Sequence, residues 1–161
     1  MDFLQRLERA VERGQRASTA QARQEAKQQL SEEECRRLHS KYRIDLSEHI
    51  ETCLKQLPNF FPGFELSTLV SDVGWGAKVS RDDVGTDKEG KRTNYFSRLE
   101  MGIRPFSSAH VLELVAKGTI RNKEVFNRPH YQRLEEADLD SFADLIDLWV
   151  LEYAEMYARS P

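Results

Sequence analysis

The chain has few of the residues that mark disulfide-stapled or fibrous proteins. Its 161 residues include two cysteines, five prolines and eight glycines. Two cysteines cannot form the dense disulfide framework of a small secreted domain, and so little glycine and proline excludes a collagen-like chain. No apolar run approaches the roughly 18 residues that a membrane-spanning helix needs. These absences leave a globular chain of about one domain's length.

The start of the sequence and its thiols predict the compartment. Charged residues interrupt the segment from Met1 to Arg9 in every turn, so it lacks the apolar stretch of a secretory signal. Cys35 and Cys53 are the only cysteines, which fits a reducing compartment. We therefore expect a cytoplasmic protein without a membrane span.

Charge is distributed unevenly along the chain, although the formal net charge is only −3. Residues 1–57 carry 11 basic and 10 acidic residues, residues 58–133 carry 12 and nine, and residues 134–161 carry one and eight. A mildly basic middle beside an acidic C-terminal segment favours pairing within the molecule. We do not expect a nucleic-acid partner.

The first 57 residues predict a helical extension. Ala, Gln, Glu, Lys and Arg dominate this region, and all of them are strong helix formers. Gly14 is expected to end a first helix, a capping box at Ser31-x-x-Glu34 to begin another, and Pro58 to end the last. The apolar seam of these helices is thin, which favours docking on a partner or on a second copy of the chain.

Residues 58–161 predict an α+β body. Apolar residues alternate in residues 64–70, 73–79 and 95–103, as they do in half-buried strands. Residues 81–93 are highly charged and predict a mobile loop.

Two further segments complete the predicted body. Residues 110–120 fit either a helix that Gly118 closes or a strand, and we favour the strand because apolar residues alternate there. Asp138 or Asp140 is expected to cap a C-terminal helix with a broad apolar face. We therefore predict an N-terminal helical region, an antiparallel sheet of four or five strands, and a C-terminal amphipathic helix packed on one face of that sheet. The two regions, residues 1–57 and 58–161, are expected to form a single globular unit.

Two pairs of metal-ligand residue types stand out. Cys35 and His39 lie four residues apart, as do His49 and Cys53, so each pair shares one helix face. Convergence of the two pairs would give a zinc site, but both cysteines lie on apolar stripes and the tight Cys-x2–4-Cys spacing is missing. We favour buried structural cysteines and expect no metal and no cofactor.

Three other motifs contain residue types found in functional sites, but their patterns are less specific. Ser107, Ser108 and His110 have the residue types of a nucleophilic site but fit a turn better. Gly74 and Gly76 flank Trp75 inside an alternating pattern, which indicates a close backbone approach rather than a phosphate loop. Residues 121–133 interleave basic and aromatic residues and are the best polar binding candidate.

Two hypotheses for function follow. We favour a non-enzymatic interaction or adaptor module that self-associates through its N-terminal helices. The alternative is a small-molecule-binding domain or enzyme whose pocket lies between the sheet and the C-terminal helix. Its candidate residues are Trp75, Arg98, Glu100, Arg104, Tyr153 and Tyr157. A charged outer sheet face with cross-strand pairs is the competing interpretation of the charged members of that set.

Overall fold

A computed structural model describes residues 2–72 and 74–160, with residues 26–31 described as backbone alone. Helices α1 (Phe3–Leu54) and α2 (Leu57–Phe60) come first. The strands are β1 (Glu65–Ser71), β2 (Gly74–Thr86), β3 (Arg92–Ile103), β4 (Val111–Ile120) and β5 (Lys123–Arg133). A 3₁₀ turn (Leu134–Glu136) then leads into α3 (Leu139–Arg159). The predicted α+β class is confirmed.

The chain divides into two compact units, Met1–Arg37 and Leu38–Pro161. In the first unit, every side chain from Asp2 to Glu25 is exposed. The second unit contains the sheet, α3 and the last turns of α1. The expected division at residue 57, into a helical extension and a body that together form a single globular unit, stays a prediction.

The sheet is an antiparallel meander in the order β1-β2-β3-β4-β5. Register places Met101 of β3 beside Ala77 of β2 and Ala116 of β4, and all three side chains are buried. Alternate residues of the same strands are more exposed. The period of two in the sequence therefore corresponds to one buried face and one open face.

The buried face is covered by α3 and by the last turns of α1. The core residues of the two helices include Leu46, Ile50, Leu54, Phe142, Ile146 and Tyr153. They meet a sheet face that includes Leu99, Met101, Ile103, Leu112 and Leu114. The side chain of Asp138 accepts a hydrogen bond from the Asp140 backbone and caps α3. The predicted C-terminal helix on one sheet face is confirmed.

The predicted breaks in the N-terminal helices are wrong. Helix α1 is continuous through Gly14 and residue 31. One helical glycine costs only about 1 kcal/mol, which strong helix formers on both sides can offset. The Ser31 side chain, part of the expected capping box, lies outside the described residues. Pro58 does not end α1 but lies in the first turn of α2, where its missing N–H breaks no helical bond.

The predicted loop at residues 81–93 is also wrong, because only residues 87–91 lie between β2 and β3. Asp87 fixes this turn, since its Oδ1 accepts hydrogen bonds from the backbone N–H groups of Glu89 and Lys91. The strand predicted over residues 110–120 is confirmed as β4. Residue 73, expected within the second strand, lies outside the described residues.

Candidate functional site

The two Cys–His pairs weighed as possible zinc ligands have different surroundings. His39 is buried, its Nε2 lies 3.1 Å from the Arg104 carbonyl oxygen, and its ring contacts Phe106 edge-on. Burial lowers the pKa of His39, so the imidazole is held neutral by its environment. The His39 side chain therefore has a structural role, because its Nε2 is hydrogen-bonded to the Arg104 carbonyl oxygen.

His49 and Cys53 meet an acidic side chain that the sequence did not single out. Oδ1 of Asp147 on α3 lies 2.8 Å from His49 Nε2 and 3.2 Å from Cys53 Sγ. His49 Nε2 and Cys53 Sγ lie 3.6 Å apart. Asp147 is one of eight acidic residues beyond residue 133, and no spacing distinguishes it from the others.

This His49–Cys53–Asp147 cluster does not have the geometry of an activated nucleophile. Burial raises the pKa of the Cys53 thiol to about 12, helped by the hydrogen bond and the negative charge of Asp147. The thiol therefore stays protonated and donates to the carboxylate. A catalytic relay also needs both imidazole nitrogens, one for the nucleophile and one for the acid, whereas Nε2 of His49 faces both partners here.

The six residues expected to line a pocket under α3 do not line one common pocket. Tyr153 is buried in the core, and Tyr157 packs against Phe61 and Phe64. Trp75 lies beneath the guanidinium of Arg43.

Two of the three charged members of that set have oppositely charged neighbours across the sheet. Glu100 lies in register between Lys78 and Lys117 on the open sheet face, and Arg98 shares that face. Arg104 forms an ion pair with Glu113.

A pocket of about 520 Å³ lies instead where the C-terminal end of α3 meets two β-turns. Four basic side chains line it together with Tyr95, Met156 and other neutral residues: Lys88, Arg121, Lys123 and Arg159. Among the described residues, no aspartate or glutamate lines this basic pocket. Within the part of the chain that the structure describes, no ion pair joins its four cations to a side-chain carboxylate.

The turn between β4 and β5 positions Arg121, one of the four cations of the pocket. Arg121 and Asn122 both have positive φ, at 48° and 69°. The Asn122 side chain accepts a hydrogen bond from the Phe96 backbone and donates one to the Asn94 carbonyl oxygen. The Arg121 guanidinium lies 4.4 Å from the centre of the Tyr95 ring. The turn is thus tied to β3, and the cation stands over an aromatic face.

The segment at residues 121–133 serves two purposes. Arg121 and Lys123 line the basic pocket, whereas Arg128 forms an ion pair with Glu152 of α3. Part of this basic segment is therefore neutralised by the acidic helix, in line with the complementary charges of the sequence.

The remaining motifs have structural partners. Ser107 forms a turn, in which its Oγ accepts a hydrogen bond from the Ala109 backbone and its carbonyl oxygen accepts one from His110. At Gly76, an added Cβ would lie 1.9 Å from the Met101 carbonyl oxygen, so the strands approach closely there.

Comparison with known proteins gives no relative. Neither a protein-family model, nor a curated protein, nor a solved structure matches the chain. Among the described residues, no helix has the length and apolar character required to cross a membrane.

Proposed function

We propose that the protein is a cytoplasmic, non-enzymatic interaction module that self-associates through the first turns of α1. The observation that carries this proposal is an exposed helix face without charge. The free Cys35 and Cys53 support a reducing compartment. The bonds that hold Cys53 and Ser107 support a structural rather than a nucleophilic role for both.

The uncharged face follows from helical spacing. At 100° per residue, one side of α1 carries Phe3, Leu4, Leu7, Ala10, Val11, Gly14 and Ser18. The opposite side carries Arg6, Arg9, Arg13 and Arg16. The four large apolar side chains of the face are between 47% and 76% exposed. Burying each of them would contribute about 1–2 kcal/mol.

A second copy of the chain is the partner that fits this face. The face has no charge of either sign, so it does not select a partner of opposite charge. Two identical helices present identical apolar strips, and a two-fold axis brings such strips together. Every side chain from Asp2 to Glu25 is exposed, so pairing would bury apolar surface that the chain itself leaves uncovered.

The test is the mass of the full chain in solution, measured by sedimentation velocity or light scattering over a range of concentrations. We expect a dimer that dissociates on dilution. The double substitution Leu7→Glu and Val11→Glu places two charges on the uncharged face and is expected to give a monomer.

A matched control adds two glutamates to the charged side. Gln5→Glu with Arg9→Glu is expected to keep the dimer, because neither position lies on the uncharged face. A wild-type chain that is monomeric at every concentration contradicts the proposal, as does equal dissociation of both double variants.

The basic pocket supports a second candidate function, the binding of a small anionic ligand. Four cations, with no aspartate or glutamate among the described residues of the lining, favour a phosphate or a similar anion. Tyr95 and Met156 offer an apolar surface beside them. We infer that the ligand class is a phosphorylated aromatic molecule.

Calorimetric titration with adenosine monophosphate and with inorganic phosphate tests this second candidate. Tighter binding of the nucleotide is expected, and Arg121→Gln with Lys123→Gln should weaken it by roughly tenfold or more. Arg92→Gln removes an exposed cation of β3 outside the pocket and should leave the affinity unchanged. Absence of nucleotide binding at low salt, or equal weakening by the Arg92 control, contradicts the candidate.

A further inference from the structure

Helices α1 and α3 bring three different metal-ligand atoms together. His49 and Cys53 lie one turn apart on α1, and Asp147 faces them from α3. The imidazole nitrogen, the thiol sulfur and one carboxylate oxygen all lie within 4.8 Å of one another. Ninety-eight residues separate His49 from Asp147 in the chain, so the arrangement depends on tertiary packing rather than on a local turn.

The separations are close to those around a tetrahedral zinc ion. Bonds of about 2.0 Å to nitrogen and oxygen and about 2.3 Å to sulfur place nitrogen and oxygen about 3.3 Å apart and sulfur about 3.5 Å from either. The observed distance of 3.6 Å between Cys53 Sγ and His49 Nε2 already fits. The carboxylate would have to retreat by about half an ångström from the imidazole to match a tetrahedral site. Its side chain is 50% exposed and has room for that movement.

The chemistry of the donors selects the metal. Calcium and magnesium prefer oxygen ligands alone, whereas zinc accepts nitrogen, sulfur and oxygen together. The cluster supplies one of each. His49 and Asp147 are 34% and 50% exposed, so an ion can reach the cluster and a water molecule can fill a fourth position.

We propose that His49, Cys53 and Asp147 bind a zinc ion through Nε2, Sγ and Oδ1, with water as the fourth ligand. The step is an exchange without oxidation or reduction. The S–H bond of Cys53 breaks, its electron pair forms the bond to zinc, and the proton leaves to solvent. Nε2 of His49 loses the hydrogen that it donates to Asp147 in the metal-free cluster, and Nδ1 takes up a proton in exchange, so the imidazole stays neutral and the Nε2 lone pair binds zinc. Asp147 turns from accepting hydrogen bonds from the imidazole and the thiol to binding the ion.

Because binding releases at least one proton, the affinity should rise with pH by about tenfold per pH unit for each proton released.

Zinc titration of the full chain against a chromophoric chelator tests the proposal. The wild type is expected to bind one zinc ion, and Cys53→Ser should weaken that binding by roughly a hundredfold. Cys35→Ser removes the other thiol and is the matched control, with unchanged affinity. Asp147→Asn keeps the shape of the side chain but supplies a poor ligand, and it should also weaken binding.

Cobalt gives a second readout that reports the ligand directly. Wild type and Cys35→Ser are expected to show a thiolate-to-cobalt charge-transfer band, and Cys53→Ser should lack it. Far-ultraviolet circular dichroism verifies that each variant is folded. Wild-type protein that takes up no zinc, binding that survives Cys53→Ser, or a loss on Cys35→Ser would overturn the proposed ligand set. None of these results depends on the oligomeric state or on the basic pocket.

Discussion

The hydroxyl of Tyr153 donates a hydrogen bond of 2.8 Å to the carbonyl oxygen of Thr119, inside the layer where α3 meets β4. Both residues are buried. Thr119 lies at the irregularity where the register between β4 and β5 shifts, next to Gly118. Burial also raises the pKa of Tyr153, so its hydroxyl keeps the proton that it donates. The helix therefore stabilises the strand at the point where the ladder of the sheet is interrupted.

Removing this hydroxyl should destabilise the fold. Tyr153→Phe leaves the Thr119 carbonyl oxygen without its side-chain donor in a buried layer, and we expect the free energy of unfolding to fall by about 1–2 kcal/mol. Urea denaturation followed by tryptophan fluorescence measures the change. Tyr131→Phe alters a tyrosine that is 64% exposed and should stay within about 0.5 kcal/mol of wild type. Equal losses in the two variants would show that the buried hydrogen bond contributes nothing specific.

A pair of cross-strand glycines should respond differently to alanine. Gly76 and Gly102 are register partners in β2 and β3. A Cβ at Gly76 would lie 1.9 Å from the Met101 carbonyl oxygen, whereas at Gly102 the nearest atom would be 3.2 Å away. We expect Gly76→Ala to cost about 3 kcal/mol or more and Gly102→Ala clearly less, because backbone atoms cannot move aside. Thermal unfolding of both variants shows which substitution lowers the stability more. A larger loss for Gly102→Ala would contradict the close backbone approach at Gly76.

Stability should fall on mild acidification through His39. Burial lowers the pKa of His39 in the folded state, so below about pH 6.5 the unfolded chain binds a proton that the folded chain resists. This contribution is fully present above the unfolded pKa and is lost as the pH falls below it. Denaturation of wild type and His39→Gln between pH 7.5 and about pH 5 should give a shallower loss in the variant. If the stability of the two proteins falls equally with pH, His39 is not the source of the loss.

Cys53 should be slow to alkylate in metal-free buffer. Its pKa of about 12 leaves very little thiolate near pH 8, and thiolate is the reactive form. Mass spectrometry of iodoacetamide-treated protein compares Cys53 with Cys35 in the same sample, and Cys53 is expected to react more slowly. Asp147→Asn removes a hydrogen bond and a negative charge that both raise the pKa, so it should accelerate labelling at Cys53 alone. An unchanged rate in that variant would falsify the electrostatic part of this explanation.

Side-chain alternation made most of the body predictable. Buried residues recur at every second position within a strand, as at Ala77 and Val79 or at Leu112 and Leu114, because one face of the sheet is buried and the other is open. The same signal placed β4 correctly, although Gly118 also resembled a helix end. Gly118 serves close packing instead, since an added Cβ would lie 3.0 Å from the Phe126 ring.

Predictions from the local sequence were wrong where flanking residues or strand pairing determine the structure. Gly14 was expected to end a helix, but the residues on both sides favour its continuation. Residues 81–86 and 92–93 resembled a loop because most of their side chains are polar, yet pairing between β2 and β3 satisfies their backbone groups. Polarity on both faces of a hairpin gives no period that a sequence pattern can detect.

Only part of each candidate site could be predicted from the sequence, for a similar reason. The four-residue spacing of His49 and Cys53 is local, so the sequence showed it. Asp147 joins them only through the packing of two helices that are distant in the chain. Lys88 and Arg159 likewise reach the basic pocket from a turn and a helix end that no local spacing relates.

The strand order carries a consequence for the order of folding. Each strand pairs with its neighbour in sequence, so the sheet can assemble as successive hairpins with small losses of loop entropy. Helix α3 follows all five strands in the chain. During synthesis the apolar face of the sheet therefore stays uncovered by α3 until that helix has been made. A ribosome-bound chain that stops before Leu139 should therefore bind hydrophobic-surface chaperones strongly, and release should coincide with the emergence of α3.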